Sequence, residues 1–282
     1  MSAVEVDAEK MRKHLVDLER ENKELRERIN QIDRERAECL QNVSHQLVAP
    51  LNAIKWHIEN LTSGRLTVDR GKKVLRSIYS QATLAVHLAK NFNLMSNLEA
   101  DHSLKKLKEP LQEIELYRLL INLADDFQPL AWDRNIQIRV EKDKFENAPP
   151  VLAMKPLISQ VFSNIIENAV KYSNADTEIL ITGRHVSPTG SVTVWVRNVG
   201  IPLNPNDIKS VFNRGFRGPE AIRKYPAGTG FGLYIARRIV EIHEGTITAG
   251  TDGQWTIFEV NLSVKGLEGK ARTRAKKDNT TD

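Results

Sequence analysis

A seven-residue repeat near the start of the chain sets the first limit on its fold. Met11, Leu18, Leu25, Ile32 and Cys39 recur at intervals of seven, and Leu15, Asn22, Ile29, Arg36 and Val43 form the interleaved set. Residues at this spacing make a stripe along one side of a long helix, and a second helix must cover it, which is the pattern of a coiled coil. With the second set at position a, Asn22 puts an amide in the seam, a device that fixes register and strand number in parallel dimers. Glu21 and Arg28 at position g then face Arg26 and Asp33 at position e of a parallel partner, and both pairs are opposite in charge. A solvated charged helix is the alternative reading, but it does not call for a sustained apolar seam. Residues 1–40 are therefore expected to form a parallel coiled coil in a homodimer, loosest near Arg36.

Continuing the register places His45 at position c, outside the seam, and Pro50 removes a backbone donor just beyond it and favours a kink. After a turn over 62–70, Val74, Ile78, Leu84, Leu88 and Phe92 mark a second apolar stripe down to about Leu98. Two such helices from each of two chains predict an antiparallel four-helix bundle over 41–102. From Leu111 the pattern changes. Segments beginning at Ile136, Glu178, Val192, Thr246 and Trp255 alternate polar with apolar residues, as half-buried strands do. The expected class is α+β: coiled coil and bundle, then an α/β sandwich over 111–264 with helices on one face of a sheet. The charged, lysine-rich stretch ending in 103–110 reads as a hinge between them, and 265–282 as a basic, disordered tail.

Two motifs inside the sandwich carry chemistry. In GTGFGL, over 228–233, Gly228, Gly230 and Gly232 precede an amphipathic helical pattern of Leu233, Ala236, Ile239, Val240 and Ile242. Glycines opening a helix offer bare backbone N–H groups and a positive helix end to phosphate oxygens, although tight-turn glycines alone would read the same way. In NIIENAVKY, over 164–172, the apolar residues Val161, Ile165, Ile166, Ala169 and Val170 share one helical face while Asn164, Asn168 and Lys171 share another. An Asn oxygen suits magnesium bridging phosphates, and lysine supplies a point charge; a solvated helix face is the plainer alternative.

These residues resemble the core of a two-component sensor histidine kinase. NIIENAVKY is similar to that family's N box, VRNVGIPLNPNDI over 196–208 to its first glycine box, VFNRGFRG over 211–218 to its F box, and GTGFGL to its second glycine box. VSHQLVAPL over 43–51 resembles the H box. The resemblance covers about residues 35–263 and implies that the chain binds ATP and Mg2+, that His45 accepts the phosphoryl group, and that a response-regulator receiver domain is the onward partner. It implies Asn168 as the magnesium ligand, Lys171 and Tyr172 near phosphate and adenine, and Asn164, Gly200, Gly228, Thr229, Gly230, Phe231, Gly232 and Leu233 around the nucleotide. Arg214 and Arg217, in a lid-like stretch over 212–227, are candidates for the γ-phosphate, with a plain surface loop as the alternative.

Three departures bear on mechanism. Gln46 stands after the acceptor histidine where the family usually has an acidic residue, and an amide cannot take a proton at neutral pH. Ala49 stands where the family often has a Thr or Asn that positions water for dephosphorylating the receiver. Asn198 replaces the aspartate that accepts from the adenine amino group, and Pro202 replaces a glycine of the same box. The expectation is slow autophosphorylation, doubtful phosphatase activity and weakened discrimination between adenine and guanine. Two other classes stay open: gyrase-like and chaperone ATPases, which as a group place a glutamate where Asn164 stands, and a non-catalytic relay that binds nucleotide and regulates a partner.

The single cysteine, Cys39, excludes an intrachain disulfide framework and points to a reducing cytoplasm. No apolar run reaches membrane-spanning length, so no membrane span is expected. The net charge of +5 is modest, and no nucleic-acid-reading motif accompanies it, so no nucleic-acid partner is expected.

Overall fold

The computed structural model describes residues 3–63, 67–100, 110–187, 189–226 and 228–265. Of the expected hinge only Pro110 falls within these stretches, and of the expected tail only Lys265. Contacts divide the chain into two compact units, Met1–His45 and Gln46–Asp282.

Helix α1 spans Ala3–Thr62. Within the first unit, Met11, Leu15, Leu18, Leu25 and Ile29 are exposed, so the seven-residue stripe is uncovered in a single chain. The seam positions Ile32, Arg36 and Cys39 have side chains outside the described residues. Helix α1 continues through Pro50 without interruption. Helix α2, Val68–Ala100, begins a little earlier than the expected turn allows. Thr67 accounts for this: its Oγ1 accepts a hydrogen bond from the Arg70 N–H at 3.4 Å, and Asp69 sits in the first turn, so both features favour a helix start there.

The rest of the second unit is built on a mixed five-stranded sheet. Its strands are β2 (Gln137–Val140), β4 (Glu178–Val186), β5 (Ser191–Val199), β6 (Thr246–Asp252) and β7 (Trp255–Ser263), in the order β2-β4-β5-β7-β6. Only the β2–β4 pairing is parallel. A separate antiparallel pair, β1 (Gln112–Ile114) with β3 (Val151–Ala153), has three-residue strands too short to show alternation in the sequence. Helices α3 (Leu116–Trp132), α4 (Lys155–Tyr172) and α6 (Gly232–Ile242) supply the helical layer, and a short helix α5 (Pro219–Lys224) lies between β5 and α6 in the chain.

Strand periodicity sets which side chains meet those helices. Val192, Val194 and Val196 on β5 are fully buried, paired in register with Leu262, Val260 and Phe258 on β7. On α4, Ile158, Val161, Phe162, Ile165 and Ile166 are likewise fully buried. Fully burying an aliphatic or aromatic side chain contributes roughly 1.5–3 kcal/mol, so this layer is the main source of the domain's stability.

Helix α2 also belongs to this layer. It packs against α3, α4 and α6, which is why the contacts divide the chain after His45 and not at the expected hinge.

One buried polar group makes the fold sensitive to acid. His243 ends α6 at 2% exposure; its Nδ1 donates to the Ile239 carbonyl at 2.8 Å and its Nε2 accepts the Met154 N–H at 3.1 Å. Burial lowers its proton affinity, partly opposed by the Ile239 bond. Both ring nitrogens are therefore matched to the neutral form. Because the folded pKa lies below the unfolded value, the contribution is intact above about pH 6.5 and is lost as pH falls from there through the folded pKa. Urea unfolding at pH 8 and pH 5 should show a loss of stability that His243→Gln flattens.

Candidate functional site

The polar side of α4 forms one wall of a cavity of about 310 Å³, a volume suited to a small ligand. Asn168, Lys171 and Tyr172 line it, as the sequence pattern predicts, because burial of the opposite face leaves them pointing away from the sheet. Asn164 does not reach the cavity. At 1% exposure it lies behind the wall, with its Oδ1 about 3.5 Å from where a Cβ on Gly232 would stand, and its Nδ2 has no partner.

Gly228, Thr229, Gly230, Gly232 and Leu233 line the opposite side. Gly230 has φ +69°, and a Cβ there would stand 2.6 Å from the Gly215 backbone, so only glycine satisfies both the turn and the close approach. The following residue, Phe231, enters α6 with no side-chain cap, leaving the first N–H groups of the helix available beside the cavity. The ring of Phe231 is not in the wall; it lies 5.9 Å from the Arg214 guanidinium, and Arg214 too stands outside the lining.

Arg217 does line the cavity, but its guanidinium is engaged. It donates to the carbonyls of Pro226 at 2.7 Å, Gly228 at 3.2 Å, Ala221 at 3.3 Å, and Tyr225. It thereby organises the segment between α5 and the glycine turn, a role that composition and spacing do not reveal.

At the far end Asn198 lies in the same inward file of β5 as Val192, Val194 and Val196, at 2% exposure, opposite Thr256. An amide ending an apolar file gives the cavity a buried polar reader at that end. Gly200 is not in the lining. It bridges to Ser173, and a Cβ on it would stand 2.0 Å from the Tyr172 carbonyl oxygen.

The electrostatics centre on Lys171. Burial lowers its proton affinity, Glu167 opposes this and Arg217 adds to it. Its Nζ lies 5.6 Å and 5.5 Å from the ring centroids of Tyr172 and Tyr225. Burial raises the Tyr172 phenol, against the pull of Arg217. Among the described residues no cluster of three His, Cys, Asp or Glu side chains could hold a metal ion, so a cation here would draw its remaining ligands from the bound molecule and water.

Two contributors, Leu88 and Asn91, come from outside the expected motifs, and Gln46 joins them from the segment that resembles the H box. Gln46, Leu88 and Asn91 line the same cavity as Asn168. Glu167, within the segment over 164–172, also lines it and pairs with the buried His87 at 2.8 Å. Nothing in the sequence pairs α2 with α4, so these contacts needed the fold. His45 belongs to the first unit, where it is exposed.

Residues 154–266, which hold α4, the glycine turn and α6, match the family described as Histidine kinase-, DNA gyrase B-, and HSP90-like ATPase. The chain is also similar to two curated relatives, Sensor protein kinase WalK of Staphylococcus saprophyticus, 28% identical over 84% of this chain, and WalK of Staphylococcus aureus, also 28% identical over 84%. In sequence, this chain is similar to sensor histidine kinases. The chain spans 38% of the length of those relatives. The crystal structure of full-length ShkA in complex with AMPPNP has the same fold, with TM-score 0.54 and 22% identity over 81% of this chain and 46% of that one. No described helix is long and apolar enough to cross a membrane.

The closeness of Gly200 to the end of α4 is testable by stability. Gly200→Ala should destabilise the domain by about 1–3 kcal/mol in urea unfolding, through overpacking against the Tyr172 backbone.

Proposed function

We propose that this chain binds Mg-ATP, phosphorylates its own His45, and passes the phosphoryl group to an aspartate of a receiver domain. The observation that carries this reading is the convergence of Asn168, Lys171 and the uncapped start of α6 on one cavity. Those groups offer an oxygen ligand, a cation and a set of backbone N–H donors, the complement that a metal-bound polyphosphate requires. Asn168 is the residue that would hold magnesium, whose charge would neutralise the phosphoryl group in transit. Negative charge placed beside Lys171 would favour its protonated form, against the burial and the Arg217 charge that depress it.

The reaction breaks the bond between the γ-phosphorus and the β-bridging oxygen, forms a phosphorus–nitrogen bond to the His45 imidazole, and releases ADP and the imidazole proton. Gln46 can orient that imidazole but cannot receive the proton, so water must. Autophosphorylation is therefore slow, and Ala49 leaves no polar side chain for positioning a hydrolytic water on the receiver. Homodimerisation is supported by the uncovered Leu15, Leu18, Leu25 and Ile29. Gln46 also favours a second reading, a nucleotide-binding relay without phosphoryl transfer.

Incubation with γ-labelled ATP and magnesium decides between them. Acid-labile label that disappears in His45→Gln is the expected result, and intact nucleotide binding without label would support the relay. Gln46→Glu should raise the labelling rate by about tenfold or more, because general-base assistance is typically worth about 10² to 10⁴; an unchanged rate would reject the role given to Gln46. The buried Asn198 amide can accept or donate, so competition between ATP and GTP should show a preference below about a hundredfold.

A further inference from the structure

Helix α2 joins α4 through an interface that is polar where an apolar one would serve. His87 is 4% exposed; its Nε2 lies 2.8 Å from the Glu167 carboxylate and its Nδ1 lies 3.1 Å from Gln160 Nε2. The tautomer with the proton on Nε2 satisfies both contacts, donating to Glu167 and accepting from Gln160. Gln160 Nε2 also donates to Asn91 Oδ1 at 2.8 Å, and Asn91 Nδ2 lies 3.1 Å from His87 Nε2. Phe127 of α3 meets the His87 ring edge-on at 5.7 Å. Farther along α2, Tyr79 donates to Asp126 at 3.1 Å and Arg76 stacks 4.8 Å over Trp132, so contacts with α3 continue the same face.

The position of this network matters more than its strength. Glu167 adjoins Asn168 and stands one turn before Lys171, while on α2 the residue after His87, Leu88, and the one a turn later, Asn91, line the cavity. The hydrogen bonds thus hold two surfaces of one cavity against each other. A buried polar network is specific in geometry and loses much of its value when one member is removed, which suits a contact that forms in one arrangement and opens as a unit. A ligand touching both surfaces must favour the state in which they are joined, and docking must favour the ligand by the same factor.

We propose that α2 is part of the nucleotide site: Asn91 and Leu88 complete its wall, and His87, acting through Glu167, is a positioning residue that couples nucleotide binding to docking of α2 on the ATPase domain. This rests on the nucleotide-binding part of the reading above, not on phosphoryl transfer. Nucleotide then does two things, occupying the cavity and drawing α2 onto α4.

The test is hydrogen–deuterium exchange on the full chain with and without the non-hydrolysable ATP analogue AMPPNP, together with its dissociation constant by calorimetry. AMPPNP should slow exchange over residues 84–95 as well as over α4 and the glycine turn. His87→Ala should abolish the slowing on α2 and weaken AMPPNP by at least about fivefold, the lower end of typical coupling between sites. His87→Gln, which keeps a donor for Glu167, should recover part of that loss. If His87→Ala does not fold, Asn91→Ala supplies the same readout, with a few-fold weakening. Protection of α4 with unchanged exchange on α2 would overturn the proposal, as would wild-type affinity in folded His87→Ala. Label on His45 without α2 protection would sink the coupling and leave the kinase standing; α2 protection without label would do the reverse.

Discussion

Burial of one face of α4 is the constraint on which the remaining geometry depends. Ile158, Phe162, Ile165 and Ile166 have no exposed surface, and α4 packs with α3, α6 and β5 at once. Rotating the helix to expose any of them would cost several kcal/mol, so its rotation about its own axis is fixed. Once it is fixed, Asn168 and Lys171 point to the cavity and Gln160 and Glu167 toward α2, with no further freedom. The site is in this sense a by-product of core packing. Arg134 secures the far end of the same helix by donating to the carbonyls of Val170, Lys171 and Ser173 and to the Tyr225 hydroxyl.

The strands were legible because alternation is a local signal: every segment expected from Ile136 to Trp255 falls on a strand of the five-stranded sheet. So was the polar side of α4, since a period of 3.6 residues sorts Asn168 and Lys171 from Ile165 and Ile166 in the sequence itself. The β1–β3 pair escaped because three residues carry no period. Asn164 was grouped with Asn168 and Lys171 by spacing but does not reach the cavity, because it is covered by the approach of α6 at Gly232, a tertiary contact invisible to helical spacing. Arg217 read as a candidate for the γ-phosphate, with a plain surface loop as the alternative. Its use of four backbone carbonyls depends on the loop's path, which no pattern of residue types encodes.

The contribution of α2 lay beyond reach for a different reason. Val74, Ile78, Leu84, Leu88 and Phe92 identify an apolar stripe, and a stripe predicts burial without naming what it is buried against. The histidine inside it looked like one of seven with no special standing. Only the pairing with Glu167, held from a helix about eighty residues onward, gives it a role.

Lys171 and Lys224 share a property that follows from their surroundings. Burial comes first in lowering the proton affinity of both, with Arg217 adding to it for Lys171 and Arg134 for Lys224. Lys224 reaches the carbonyls of Tyr172 at 3.4 Å and Ser173 at 3.2 Å, so the two amines flank the C-terminal end of α4 from the cavity side and the lid side. Whatever fills the cavity meets Lys171, and the placing of α5 sets where Lys224 stands, so one helix end carries the state of two different parts of the domain.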